Sequence, residues 1–273
     1  MALESATSCF EPRKCYEWIV PLRAEPARHP IGRGWVWVRS GFDVFNKGMG
    51  VSVAMVLIWF AVGLLLERLP AGSLISQLLY MVWGAGWVAV ARHGYEGNPL
   101  RFADFFSGFR HKLTPLMLGG LLVLALFSLI GLICLGLLSM WGLTSLLTQD
   151  PESLVVTAAQ AQGLLLCLLL GLALLIPVLM AITFAPALIF FHDVGILQAA
   201  KLSFKGCLTN MWPFLWWGLI AAILMLFGAA LMLVGLLVVI PALNYSIYVA
   251  YRDIYLDVTQ ETPAEAPLTG FEA

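Results

Sequence analysis

Long apolar runs separated by short polar segments dominate this chain. Each run is close to the roughly 20 residues that a helix needs to cross about 30 Å of hydrocarbon. Because backbone groups in lipid must be hydrogen-bonded within the protein, such runs are expected to be helices. The predicted spans are Met49–Leu66, Ser73–Ala91, Pro115–Leu138, Gly163–Phe191 and, divided near Gly235, two more within Pro213–Tyr251. The pattern predicts an all-α polytopic membrane protein with six transmembrane helices.

A different periodicity marks the segments that precede the first, third and fifth spans. Apolar residues recur there at helical spacing beside basic ones, which is typical of helices that lie in the headgroup layer. The three apolar stripes are Trp35, Val38, Phe42 and Phe45; Phe102, Phe105 or Phe106, Phe109 and Leu113; and Leu197, Phe204, Leu208 and Met211. Asn98 and Pro99 predict the start of the second helix. We therefore expect three hairpins, each preceded by an amphipathic interfacial helix on the cytoplasmic side.

Charge is strongly segregated along the chain. Only 11% of the residues are charged and 61% are hydrophobic, which excludes an ordinary soluble domain. Of the 15 basic residues, all but Arg68 lie in the first 48 residues, in segments 92–114 and 192–212, or at Arg252. The positive-inside rule makes these segments and both termini cytoplasmic. We expect a tail over residues 1–31, one transmembrane domain over 32–257, and a disordered tail over 258–273.

Several short motifs resemble those of a known family. They are Gly34-Trp35 with Gly41-Phe42-Asp43-Val44-Phe45, the run from Leu100 to Phe109, Ala185-Pro186-Ala187-Leu188 followed by His192, Ser203 and Asn210, and Ser246-Ile247-Tyr248 with Arg252-Asp253. In order and spacing they resemble an uncharacterised family of proteobacterial inner-membrane proteins. A similar passage occurs in the membrane domain of some glycerophosphodiester phosphodiesterases. The resemblance implies a six-helix inner-membrane fold and no established activity.

A few polar residues fall inside the predicted spans. They are Gln77, Thr183, Asn244 and Ser246. Hydrogen bonding between helices is the favoured interpretation. The functional alternative is a polar lining for a lipid headgroup or a small solute. Asn244 is then the best candidate, because Pro241 beside it frees a backbone carbonyl.

Residues that carry familiar chemistry are scarce. Every acidic residue maps to a tail, a loop or the end of a span, which disfavours a proton- or sodium-coupled transporter. Cys9 and Cys15 lack the short spacing of zinc ligands, so we expect neither a metal nor a cofactor. An intramembrane enzyme has only His192-Asp193 in its favour.

The basic residues beside the second and third amphipathic segments are the most function-like feature. Lipid-headgroup binding is assigned to Arg101, Arg110, Lys112, Lys201 and Lys205. We expect a non-enzymatic inner-membrane protein, an accessory or scaffold subunit that contacts lipids and either a membrane-protein partner or a second copy, and no nucleic acid. The alternative is a transporter or lipid-moving protein with a pathway between the hairpins, suggested by Pro177, Pro186, Pro241 and Asn244.

Overall fold

The structure, a computed structural model, describes residues 20–142, 157–231 and 234–257, and these are helical almost throughout. A 3-10 helix, Phe102–Phe106, lies between α3 and α4. The α-helices are α1 (Arg33–Asn46), α2 (Met49–Leu66), α3 (Gly72–Tyr95), α4 (Ser107–His111), α5 (Leu113–Met140), α6 (Ala158–Thr183), α7 (Ala185–His192), α8 (Ile196–Thr209), α9 (Met211–Ala230) and α10 (Leu236–Tyr255). The predicted all-α class is therefore confirmed for the described residues.

Five helical segments among these residues are long and apolar enough to cross a membrane. They are α2, α3, α5, α9 and the consecutive helices α6 and α7 taken as Ala158–His192. The predicted break near Gly235 is confirmed, because α9 ends at Ala230 and α10 begins at Leu236. However, α10 carries Asn244, Arg252 and Asp253, and it does not belong to the set of five. The structure thus supports five spans, one fewer than the predicted six.

Helix α10 lies at the centre of the fold. Helices α1, α2, α3 and α9 all pack against it, and its tyrosines Tyr245 and Tyr251 are among the largest fully buried side chains. Gly41 permits the contact with α1, since a Cβ at that position would lie 2.2 Å from the carbonyl oxygen of Ala242. The least apolar long helix is therefore enclosed by protein, as its polar side chains require.

The first amphipathic helix is present, but its apolar face is turned toward the protein. In α1, Val38 and Phe45 are buried whereas Trp35 is 52% exposed. Trp37, which lies outside the predicted stripe, is fully buried, and its ring lies 5.1 Å from that of Phe214 on α9. Two residues of the predicted stripe are thus covered by protein, whereas Trp35 remains exposed.

The second amphipathic segment does not form the single helix expected from Asn98. Residues 98–101 are irregular, and the 3-10 helix begins at Phe102 before the short α4. The rings of Phe105 and Phe109 lie 5.0 and 4.9 Å from the ring of Trp83 on α3. Gly86 allows this approach, since a Cβ there would be 2.0 Å from the carbonyl oxygen of Phe105. The aromatic stripe therefore anchors the segment to α3.

Residues 20–31 form an irregular strap, hereafter the N-terminal strap, across the end of α10. Leu22 and Leu256 form an antiparallel bridge, and the backbone N–H of Ala27 donates to the carbonyl of Ile254 at 2.8 Å. This part of the predicted tail is thus attached to the transmembrane domain. Two predicted features lie outside the described residues: the tail before residue 20 and the tail over 258–273.

Candidate functional site

Helix α8 presents an amphipathic surface at the end of the fold where the basic segments meet. Its small residues Ala199, Ser203 and Gly206 are buried against neighbouring helices. Two of its large apolar residues point outward, with Leu197 63% and Leu208 54% exposed, whereas Ile196 and Leu202 pack against the core. The third predicted apolar stripe is thus accessible at the surface of the fold, unlike that of α1.

The five basic residues predicted to bind headgroups have different surroundings. Lys201 and Lys205 are exposed on α8, at the edge of its apolar strip. Lys205 forms an ion pair with Glu25 of the strap, with 2.9 Å between nitrogen and oxygen. Lys112 pairs with Asp193, and Arg101 and Arg110 are exposed. The Lys112–Asp193 pair joins segments 92–112 and 192–212, and the guanidinium of Arg252, which lies over the ring of Tyr95, joins the first of these segments to the end of α10.

Three of the four polar residues predicted inside the spans make hydrogen bonds to backbone carbonyls of their own helices. Thr183 Oγ1 donates to the carbonyl of Leu179 at 2.7 Å, and Asn244 Nδ2 donates to that of Ile240 at 2.9 Å. Ser246 Oγ also accepts a bond of 2.8 Å from the indole N–H of Trp217 on α9. Gln77 is half-buried on α3. The Trp217–Ser246 bond joins two helices, in the way that the hydrogen-bonding interpretation predicts.

Sequence reasoning missed an ionic cluster at the end of α10. Asp253 accepts hydrogen bonds from Arg33 Nε and from Trp37 Nε1, both at 2.7 Å. The bond to Asp253 raises the pKa of the Arg33 guanidinium above its usual value. The partners are more than 200 positions apart in the sequence. The one local signal for this cluster was therefore the carboxylate of Asp253 in the apolar helix α10.

Asn210 is the second polar group that sequence reasoning missed. It is fully buried between α8 and α9. Its Oδ1 accepts from the backbone N–H of His29 at 2.9 Å, and its Nδ2 donates to the carbonyl of Ala27 at 2.8 Å. A single amide side chain thus fastens the N-terminal strap to the junction of α8 and α9.

A serine hydroxyl forms hydrogen bonds with the backbone groups that are left unpaired at the break between α6 and α7. A proline within a helix disfavours its continuation, and the helix is interrupted at Phe184, just before Ala185-Pro186. Ser203 Oγ donates to the carbonyl of Met180 at 2.7 Å and accepts from the N–H of Phe184 at 3.0 Å. The hydroxyl thus replaces the missing bond between residues four apart. Nearby, burial raises the pKa of the Cys207 thiol to about 12, which keeps it neutral at physiological pH.

His192 and Asp193, the residues that favoured an enzyme, are bonded to different partners. The imidazole Nε2 of His192 makes a hydrogen bond with the hydroxyl of Tyr251, whereas the carboxylate of Asp193 pairs with Lys112. Asp193 has φ 54°, which ends α7 and turns the chain toward α8. In the part of the chain that the structure describes, no group of histidine, cysteine and carboxylate side chains is arranged to hold a metal ion.

Comparison with known proteins finds a similarity to an inner-membrane protein. It is 27% identical to a probable inner membrane protein of Burkholderia thailandensis over 250 residues, covering 81% of this chain and 90% of that protein. No family model and no solved structure matches it. The predicted resemblance to inner-membrane proteins is thus supported, whereas the likeness to glycerophosphodiester phosphodiesterases is not. Together with its apolar helices, the likeness indicates a multi-pass inner-membrane protein.

Proposed function

We propose that this chain is a non-enzymatic accessory or scaffold protein whose cytoplasmic face binds anionic lipid headgroups. In this proposal α10 is a sixth crossing, so the spans pair as three hairpins and both termini are cytoplasmic. Such a protein acts by binding lipid and a neighbouring membrane protein, or a second copy, rather than by transforming a substrate.

The observation that carries this proposal is the outward face of α8. Leu197 and Leu208 are exposed there, and Lys201 and Lys205 follow along the edge of the same strip. Binding of such a strip to a membrane is favourable, because its apolar side enters the acyl boundary and its lysines interact with lipid phosphates. Each lysine near an anionic surface contributes about 1 kcal/mol of attraction.

Transport is the second candidate function. The polar groups on which it depends support it less well than the face of α8 supports lipid binding. A pathway between the helices would need Asn244 to face a solute, yet its amide donates to the carbonyl of Ile240 on the same helix. The hydroxyl of Ser246 is likewise engaged by Trp217. We therefore rank lipid and partner binding above transport.

The test compares lipids that remain with the protein when it is extracted from its own membrane in polymer-bounded discs. A Lys201→Gln/Lys205→Gln variant should lower the ratio of anionic to zwitterionic lipid, whereas Arg68→Gln, at the opposite end, should leave it unchanged. Co-purifying proteins are identified in the same discs. An unchanged lipid ratio in the double variant contradicts the lipid role, and a monomer without any protein neighbour contradicts the scaffold role.

A further inference from the structure

An open groove lies between the N-terminal strap and the junction of α8 and α9. It has a volume of about 550 Å³ and is lined by residues 28–31 of the strap together with Thr209, Trp212 and Pro213. None of the basic residues assigned from the sequence lines it. The size falls within the range of small-molecule and cofactor sites in proteins.

Hydrogen bonds hold the two walls of this groove in place. The buried side chain of Asn210 bonds the backbone of both Ala27 and His29, immediately beside Arg28. The ring Nε2 of His29 is also within hydrogen-bond distance of the carbonyl of Asp253, at 3.2 Å. The groove is therefore a fixed feature of the fold, and a ligand would not have to order it on binding.

Charge and apolar surface occur together in the groove. Arg28 is exposed, and no acidic side chain among residues 20–142, 157–231 and 234–257 forms an ion pair with it. Beside it, Trp212 is 60% and Ile31 53% exposed. A guanidinium beside an indole and an aliphatic side chain matches a molecule with an anionic head and an apolar tail.

We propose that this groove binds one anionic phospholipid molecule of the surrounding bilayer. Its phosphate accepts hydrogen bonds from the guanidinium of Arg28, and one acyl chain lies along Trp212 and Ile31. The proposal rests on the proposed function, because it requires this end of the fold to lie at the headgroup boundary. The groove proposal goes further, because it assigns one lipid molecule to a defined binding site, whereas α8 attracts lipids along its surface.

The experiment uses native mass spectrometry of the full chain released from nanodiscs that contain equal amounts of phosphatidylglycerol and phosphatidylcholine. Under activation that removes loosely held lipids, the unmodified protein should retain one phosphatidylglycerol molecule. Arg28→Gln should lower that retention about fivefold, the effect of one surface cation. Trp212→Ala should also lower the retention of phosphatidylglycerol, and Arg68→Gln is the matched control. Thermal unfolding in detergent verifies that each variant is folded.

The remaining outcomes separate this site from the lipid surface of α8. If Arg28→Gln retains phosphatidylglycerol as the unmodified protein does, the groove is not a lipid site. If only Lys201→Gln/Lys205→Gln lowers retention, the groove proposal fails while the proposed lipid role stands. Equal retention of the two lipids by the unmodified protein contradicts both.

Discussion

Helices α1 and α8 have the same length and a similar alternation of apolar and basic residues, yet α8 buries only small residues whereas α1 also buries large ones. Each is 14 residues long. In α1 the large residues Trp37, Val38 and Phe45 are buried, whereas in α8 the buried residues are small, Ala199, Ser203 and Gly206 among them, and Leu197 and Leu208 face outward. An amphipathic pattern therefore identifies a two-faced helix but does not say what covers its apolar face.

The difference follows from what each helix must pack against. Helix α1 crosses α10 closely at Gly41, which allows the large side chains on either side of that glycine to fill the space between the helices. Helix α8 instead faces the interrupted backbone between α6 and α7, where a small hydroxyl is needed to satisfy Met180 and Phe184. Small residues thus mark the protein-facing side of α8, as is common between membrane helices.

The largest effect is expected when the close contact of α1 is removed. Gly41→Ala places a methyl group 2.2 Å from the carbonyl oxygen of Ala242, so α1 must move away from α10. We expect the free energy of unfolding to fall by about 3 kcal/mol, measured by SDS titration in mixed micelles. The control is Gly32→Ala, where nothing lies within 4 Å. Equal stability of the two variants would show that α1 is not packed as described.

A smaller loss is expected from the ionic cluster that joins α1 to α10. Asp253→Asn keeps the shape but removes the charge that accepts bonds from Arg33 and Trp37. Hydrogen bonds to a charged group are worth about 2 kcal/mol, and the unfolding free energy should fall by that amount. Asp43→Asn on the exposed side of α1 serves as the control. If neither substitution lowers the free energy of unfolding in the same titration, the ionic cluster does not stabilise the packing of α1 on α10.

On α8, removal of the Ser203 hydroxyl, which bridges the break between α6 and α7, should lower the free energy of unfolding by a moderate amount. Ser203→Ala leaves the carbonyl of Met180 and the N–H of Phe184 without that partner. We expect a loss of about 1.5 kcal/mol and faster amide hydrogen exchange at Phe184. Ser73→Ala, at an exposed position, is the control. Unchanged exchange at Phe184 would mean that the bridge does not hold this backbone.

The smallest effect on stability is expected at the outward face of α8. Leu208→Ser alters an exposed side chain, so the unfolding free energy in detergent should change by less than about 0.5 kcal/mol. Val38→Ser on α1, at a buried position, should cost about 2 kcal/mol by contrast. Similar losses at the two positions would contradict the difference between the helices.

The elements that are specified locally could be predicted from the sequence. The first span and the division near Gly235 follow from apolar length and from glycine, and the structure has both of them. The start at Asn98 was wrong because the contact of Phe105 and Phe109 with Trp83 outweighs a local capping preference.

What could not be predicted depends on residues that are distant in the chain. Asp253 was assigned to a cytoplasmic end, yet its bonds reach Arg33 and Trp37 on α1. Asn210 likewise binds the backbone of a strap more than 180 positions away. The periodicity within one segment cannot predict contacts between segments so far apart. The face that α1 buries depends on the same long-range packing.

The most direct test of the account is the depth of spin labels on α8 in the protein reconstituted in anionic bilayers. Labels at Leu197 and Leu208 should be accessible to oxygen in the acyl region, and labels at Lys201 and Lys205 to a water-soluble nickel reagent on the cytoplasmic side. A label at Val38 on α1 should be protected from both. If labels at Leu197 and Leu208 are accessible only to the aqueous reagent, or if Lys201 and Lys205 are reached from the opposite side, the account is contradicted.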